Sequence, residues 1–256
     1  MKSKKKPKVA FFALTSCSGC MMRTLDLEYE LPQILKLVDY AYFHIVREDQ
    51  EQGPYDITFV EGGVTTKAEV REIKRIRKES KYLVALGTCA SFGGVPSIRD
   101  FGYQEEIMRY VYRDPSIFDN IEVTGIGQYV EVDYYMRGCP IEKQEFLKVL
   151  KYLLVGNIPR HVEYPVCFEC RLNKNKCLLQ EGKLCMGPIT YGGCGAPCTT
   201  RNVPCFGCRG PLEDGNLESL VEIFRDMGVS KDDLKRMFIK FAGTSKKFRD
   251  LKVIQI

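Results

Sequence analysis

A run of eight cysteines between residues 167 and 208 is the densest chemical signal in the sequence. The run opens with one Cys-x-x-Cys pair, closes with another, and divides into two sets of four within a stretch rich in glycine and proline. Thiolates in fours are typical ligands of metal centres, and glycines let the backbone approach a centre closely and donate N–H groups to it. The eight residues are Cys167, Cys170, Cys177, Cys185, Cys194, Cys198, Cys205 and Cys208.

Three kinds of cross-link compete to explain this run. Disulfides suit small secreted domains, but we expect no signal peptide, because a lysine-rich start is followed by only a short apolar stretch. Structural zinc often binds a Cys-x-x-Cys pair, but four further cysteines interrupt the spacing between Cys170 and Cys205. Iron–sulfur clusters take four thiolates each and tolerate irregular spacing. The spacing therefore favours clusters, while zinc and disulfides stay open.

The other cysteines lie at loop positions after predicted strands or before a predicted helix of an α/β sheet. A continuous apolar run over residues 8–14 is typical of a strand buried on both faces, and an amphipathic helix is predicted after it. Further strands are predicted at residues 40–46, 56–61 and 81–86, and a capping box at 66–69 opens another helix. Ligands of open α/β sheets lie beyond the carboxyl ends of the strands. The cysteines near that edge are Cys17, Cys20, Cys89 and Cys139.

The second half of the chain shows weaker patterns. One helix is predicted over residues 105–112, and another is expected to have Pro140 in its first turn and to stop at Gly156. Apolar residues at helical spacing predict two closing helices, one over residues 217–224 and one capped by Ser230. The sequence thus predicts a doubly wound parallel sheet, then an irregular Cys-rich segment, then C-terminal helices.

Charge and composition narrow the possible functions. The formal net charge is +5, and the lysines before residue 9 are typical of a solvated terminus, since no basic patch with interleaved aromatic residues follows them. No segment has the ~18–20 apolar residues that cross a bilayer. A thiol-rich chain without an export signal is expected in the reducing cytoplasm.

Five motifs together resemble the small subunit of [NiFe] hydrogenases. They are Cys-Ser-Gly-Cys at 17–20, Val-Glu-Gly-Gly at 60–63, Gly-Thr-Cys-Ala at 87–90, Arg-Gly-Cys-Pro at 137–140 and the eight-cysteine run. The resemblance implies a flavodoxin-like domain over residues 1–160, which holds a proximal [4Fe–4S] cluster. It also implies an iron–sulfur domain over residues 161–256, which holds a medial and a distal [4Fe–4S] cluster.

The same resemblance assigns all twelve cysteines to clusters. The proximal ligands would be Cys17, Cys20, Cys89 and Cys139; the medial ligands Cys194, Cys198, Cys205 and Cys208; and the distal ligands Cys167, Cys170, Cys177 and Cys185. Glu61 ends a predicted strand at the same sheet edge, where it would either assist proton movement or orient a loop. His44 and His161 fit no cluster motif and are expected to be structural.

Two departures identify the branch that the chain resembles. Periplasmic uptake enzymes begin the distal set with a histidine and often carry proline in the medial set, whereas this chain has Cys167 and Cys198 at those positions. The pattern is more similar to the cytoplasmic group 3 enzymes, and most similar to the delta subunit of archaeal sulfhydrogenases. Small subunits of F420-reducing or heterodisulfide-reductase-linked hydrogenases are the alternative, and a zinc-stabilised scaffold is a remote one. The homologue in respiratory complex I typically lacks the eight-cysteine tail.

The resemblance implies an electron-transfer subunit of an oxidoreductase that does not split hydrogen by itself. With the cysteines assigned to clusters, the sequence has no set of nickel ligands left. A hydrogenase large subunit would carry the Ni–Fe centre, and further flavin- and iron–sulfur-containing diaphorase subunits would exchange electrons with the chain. Neither a nucleic acid partner nor a membrane span is expected.

Overall fold

The computed structural model describes residues 5–102 and 104–251, and its central feature is a parallel sheet. The described strands, in chain order, are β1 (Lys8–Ala13), β2 (Asp39–Phe43), β3 (Tyr55–Glu61), β4 (Val64–Thr66), β5 (Ser80–Leu86), β6 (Asn120–Thr124) and β7 (Tyr134–Met136). Five of them pair in the order β2-β1-β3-β5-β7, with every pair parallel, and β4 pairs antiparallel with β6. Counted within the main sheet, this is the flavodoxin-like order 2-1-3-4-5. The predicted fold class is confirmed.

The sheet is apolar on both faces, as the unbroken hydrophobic run of its first strand predicts. Phe11 of β1 stacks on Phe43 of β2 and Phe59 of β3, with ring centroids 4.2 and 4.9 Å apart, and all three rings are fully buried. This face packs against the apolar side of the helix over residues 143–154. The opposite face packs against the helix over residues 67–79. Helices on both faces make the sheet doubly wound.

The described α-helices alternate with the strands and then close the chain. They are α1 (Gly19–Leu25), α2 (Leu31–Leu37), α3 (Lys67–Glu79), α4 (Gly87–Phe92), α5 (Gln104–Val111), α6 (Lys143–Leu154), α7 (Val166–Leu172), α8 (Pro197–Thr200), α9 (Leu217–Asp226), α10 (Lys231–Ala242) and α11 (Lys246–Arg249). Short 3₁₀ turns lie at Val95–Phe101, Pro115–Ile117, Ile126–Gln128 and Gly187–Ile189.

Two helix predictions are wrong in detail. The single helix expected after β1 is divided into α1 and α2, because Pro32 has no N–H to continue a helix and instead occupies the first turn of α2. Pro140 does not open α6, which begins at Lys143 with the Glu142 side chain accepting the Lys143 N–H. The longer stretch before α6 leaves the segment around Cys139 in an open loop at the sheet edge.

The C-terminal helices pack back onto the sheet domain rather than extending from it. α9, α10 and α11 share a buried cluster with Met186 and Ile189 of the Cys-rich segment, and Phe92 and Phe101 pack against it. α10 also contacts α4 and the 3₁₀ turn over residues 95–101. The Cys-rich segment is therefore held between the sheet and the closing helices, and the division near residue 160 stays a prediction.

Candidate metal centres

Four cysteines meet at the carboxyl edge of the parallel sheet. Cys17 lies in the loop after β1, Cys20 in the first turn of α1, Cys89 in α4 directly after β5, and Cys139 in the loop after β7. The pKa of Cys89 is raised to about 11, chiefly by burial and then by the neighbouring thiols of Cys139 and Cys17. Burial also raises the pKa of Cys20, and Glu61, Cys139 and Cys89 add to the rise. We call these four cysteines the proximal group.

Glu61 anchors the segment that carries two of these cysteines. It ends β3, is 2% exposed, and its carboxylate accepts the backbone N–H of Met21 at 2.8 Å and of Cys20 at 3.3 Å. Burial raises the pKa of Glu61, while these two hydrogen bonds lower it. The contacts are those of a residue that orients the start of α1, and a role in proton movement stays a prediction.

α7 supplies the first two thiols of a second group. Cys167 and Cys170 lie one turn apart on this helix, and with Cys177 and Cys185 they line a cavity of about 580 Å³. The pKa of Cys167 is raised to about 12, first by burial and then by the other three thiols. Gly187 lies directly against this group, since a Cβ there would stand 3.2 Å from Cys167 Sγ. We call these four cysteines the distal group.

The remaining four cysteines surround a third space. Cys194, Cys198, Cys205 and Cys208 line a cavity of about 420 Å³, and Cys139 of the proximal group also lines it. The pKa of Cys194 is raised to about 11, and burial is the largest cause. Burial is also the first cause of the raised pKa values of Cys205 and Cys208. We call these four cysteines the medial group.

Contacts between the groups place the three of them in a row. Cys139 of the proximal group and Cys208 of the medial group line the same cavity, which links these two groups. The Cys205 N–H donates to Cys185 Sγ at 3.3 Å, which links the medial to the distal group. Thr88 strengthens the first junction: its hydroxyl donates to the Cys208 carbonyl and accepts the Gly138 N–H at 3.1 Å. The medial group is therefore adjacent to both of the others.

Two charged side chains beside the medial group were not predicted from the sequence. Glu169 stands inside the Cys-Phe-Glu-Cys motif of α7, yet its carboxylate accepts the N–H groups of Gly193 and Gly195, which flank Cys194. Arg209 directly follows the last cysteine and is 3% exposed. The sequence does show a charged residue next to each Cys-x-x-Cys pair, Glu169 at the first and Arg209 at the last. It does not show which way these side chains point, because that depends on the tertiary fold.

The two histidines lie in contrasting surroundings. His44 is exposed just after β2. His161 stacks on Tyr134 with ring centroids 4.3 Å apart, and its pKa is lowered to about 4 by burial, Arg137 and Arg209.

Within residues 5–102 and 104–251, no helix is long and apolar enough to cross a membrane.

Comparison with known proteins identifies the family. Residues 17–153 match the family model described as NADH ubiquinone oxidoreductase, 20 Kd subunit. Sulfhydrogenase 2 subunit delta of Pyrococcus furiosus is 34% identical over 238 residues, which cover 92% of this chain and 99% of the relative. The chain belongs to the [NiFe] hydrogenase small-subunit family. It is thereby a component of an oxidoreductase complex, and the predicted delta-type resemblance is confirmed.

Other members of this hydrogenase family agree in sequence and in fold. A subunit of the F420-non-reducing hydrogenase vhu of Methanocaldococcus jannaschii is 32% identical over 238 residues, covering 80% of this chain and 82% of that one. A solved chain of an NAD+-reducing [NiFe]-hydrogenase in the H2-reduced state superposes with a TM-score of 0.56 at 29% identity. That match covers 61% of this chain and 95% of the solved chain.

Proposed function

We propose that the proximal, medial and distal groups each hold one [4Fe–4S] cluster, and that the subunit relays electrons between a Ni–Fe site on a large subunit and a further redox partner. When bound, such clusters take up and release single electrons at potentials that the surrounding protein tunes. The chain's own residues have the tasks of holding the clusters, fixing their order and shielding them from water.

The row of three thiol groups is the observation that carries this proposal. An electron relay requires neighbouring sites. Cys139 and Cys208 line one cavity and are joined through Thr88, and the Cys205 N–H donates to Cys185 Sγ, so each group adjoins the next. Three independent structural sites would need no such contacts. The same junctions support the order proximal, medial, distal over the reverse assignment of the last two groups.

The spaces within the groups suit clusters better than single ions. A tetrahedral zinc with Zn–S bonds of about 2.3 Å needs its four sulfurs about 3.8 Å apart. In the part of the chain that the structure describes, no three His, Cys, Asp or Glu side chains are arranged to hold one metal ion. The thiols nevertheless surround cavities of about 580 and 420 Å³. A [4Fe–4S] cluster binds its four thiolates through four different irons, so its ligands stand around a space rather than around one ion.

Backbone donors around the thiols match the needs of a cluster site. N–H groups of Cys205 and Gly187 point to Cys185, and the Ala196 N–H points to Cys194. The Gly207 N–H and the Thr190 side chain form hydrogen bonds of the same kind with the Cys205 thiol. Each of these hydrogen bonds lowers the thiol pKa against the rise from burial, and thus stabilises the thiolate that binds iron.

The exposure of the outer groups suggests where the partners bind. Cys17 of the proximal group is exposed at the sheet edge, which we assign to the large subunit. Cys177 of the distal group is exposed at the other end of the row, which we assign to the diaphorase-type partner. The similar proteins include subunits of F420-non-reducing, NAD-reducing and coenzyme F420 hydrogenases, so the redox partner has to be identified by the subunits that purify with this chain.

Iron and sulfide analysis of the anaerobically purified complex tests the cluster assignment. Three [4Fe–4S] clusters require about twelve iron and twelve sulfide atoms per chain. The partner subunits contribute iron of their own, so the chain must also be measured alone after anaerobic reconstitution. A colourless, zinc-containing chain, or one with about four irons and no sign of oxygen damage, would contradict the proposal.

A further inference from the structure

Two buried side chains of opposite charge flank the medial group. Arg209 is 3% exposed and Glu169 is 9% exposed. Both touch the loop over residues 193–195, which carries Cys194. Charges buried in a protein interior act strongly on their neighbours, because little water is present to screen them.

Arg209 is held against this loop by an ion pair with the sheet domain. Its Nη1 donates to Glu145 Oε2 at 2.8 Å and to the Arg137 carbonyl at 2.5 Å, and its Nη2 donates to Glu145 Oε1 at 3.0 Å. A Cβ on Gly193 would stand 2.9 Å from Nη2, so the guanidinium leaves no space for a side chain there. The Arg209 side chain lines the medial cavity together with Cys194 and Cys208, so its positive charge faces the site that these cysteines surround.

Glu169 approaches the same loop from α7. Its carboxylate accepts the Gly193 N–H at 2.7 Å and the Gly195 N–H at 2.9 Å, and it lies 3.8 Å from Cys194 Sγ. Tyr164 donates a further hydrogen bond at 3.3 Å. The site therefore has a buried negative charge beside Cys194 as well as the buried positive charge of Arg209.

We propose that Arg209 and Glu169 are positioning residues that set the reduction potential of the medial site in opposite directions. The inference rests on the proposed function. Reduction adds one negative charge to the site, so the nearby cation favours the reduced state and the nearby anion favours the oxidised state. Glu145 compensates part of the Arg209 charge, but Arg209 lines the medial cavity and Glu145 does not, so the guanidinium is the nearer charge.

The test is a redox titration of the purified complex, followed by electron paramagnetic resonance, in which each cluster is titrated separately. Arg209→Gln is expected to lower the equilibrium constant for reduction of the medial site about tenfold, which corresponds to about 59 mV for one electron. Glu169→Gln is expected to raise it by a similar factor. Arg209→Lys keeps the charge and should remain near the wild-type potential.

Matched controls separate buried charge from charge in general. Arg225→Gln and Glu222→Gln make the same chemical changes at exposed positions of α9, where water screens them, and should move no potential. Iron content and complex size are measured for every variant. If Arg209→Gln loses iron because Glu145 is left buried and unpaired, the Arg209→Gln/Glu145→Gln double variant removes that unpaired charge. If this double variant also loses iron, the inference is tested by the medial potential of Glu169→Gln alone.

The outcomes distinguish the two proposals. A wild-type complex without a separate medial signal refutes the proposed function, whatever the variants do. A wild-type complex with three cluster signals, but with a medial potential that does not move, refutes only this inference. Shifts of Arg209→Gln and Glu169→Gln in the same direction, or equal shifts at the distal site, also overturn it, since they indicate general loosening rather than local charge.

Discussion

The cysteines within each group differ in how they meet solvent. Cys205 and Cys185 are buried where the medial and distal groups adjoin, whereas Cys198 is exposed on α8. An exposed thiolate can be removed without opening the protein interior. Under the proposed assignment, the iron that Cys198 would bind is also the one that solvent and chelators reach first.

Cys198→Ala should therefore convert the medial cluster to a three-iron form and leave the fold intact. One corner iron loses its thiolate and becomes labile, while the other three ligands remain. The oxidised variant should gain the paramagnetic resonance of a three-iron cluster and lose about one iron per chain. Arg201→Ala, an exposed change at the end of the same helix, is the control. Unchanged iron content and spectra in the Cys198 variant would remove this residue from the ligand set.

At the level of elements, α3 stabilises the loop that leads to the proximal group. The predicted capping box is present: the Thr66 hydroxyl accepts the Glu69 N–H, and the Glu69 carboxylate accepts the Thr66 N–H. Glu69 also accepts the Thr65 N–H at 2.7 Å and the Thr15 hydroxyl at 2.9 Å. Because Thr15 lies between β1 and Cys17, one carboxylate ties the helix start to the proximal loop.

Thr66→Ala and Glu69→Ala should therefore differ in kind. Thr66→Ala removes only a cap and is expected to cost about 1 kcal/mol of stability. Glu69→Ala also frees Thr15 and Thr65, so it should cost more and should broaden the spectral signal of the proximal cluster. Anaerobic thermal unfolding and paramagnetic resonance measure the two effects. Equal destabilisation with an unaltered proximal signal in both variants would show that the Thr15 contact is unimportant.

Across the whole molecule, the thiol groups run from the sheet edge through the medial group to the distal group, which lies in the first part of the Cys-rich segment. The sheet supplies the proximal group, while the medial and distal groups are held between the sheet and the closing helices. Electron entry and hydrogen chemistry should therefore be separable, because the proposed relay has the Ni–Fe site on another subunit.

Cys17→Ala in the assembled complex tests this separation. Loss of an exposed proximal ligand should interrupt electron transfer, so hydrogen-dependent dye reduction should fall by at least about tenfold. Hydrogen–deuterium exchange needs no electron to leave the complex, so it should persist to a much larger extent. Complex size must be checked first, since cluster binding and local folding are coupled. Equal loss of both activities in an intact complex would contradict the assigned roles.

Local patterns in the sequence were sufficient for much of the fold. The apolar runs of β1, β3 and β5 are continuous because these strands are covered on both faces, and this pattern depends only on burial. The short edge strand β7 and the pair formed by β4 and β6 were missed, because three to five residues carry too little periodicity. The cysteine positions and their resemblance to a family were enough to propose which thiols belong together.

Only the tertiary structure decided what lies between the thiols. Spacing along the chain cannot show that Cys139 reaches Cys208, or that Cys205 reaches Cys185, since these contacts join segments that are folded against each other. Nor can it show that Glu169, within a distal pair of cysteines, serves the medial loop, or that Arg209 is paired with Glu145 of α6. The residue types are written in the sequence, but the direction of a side chain and the charge that it meets depend on packing between distant segments.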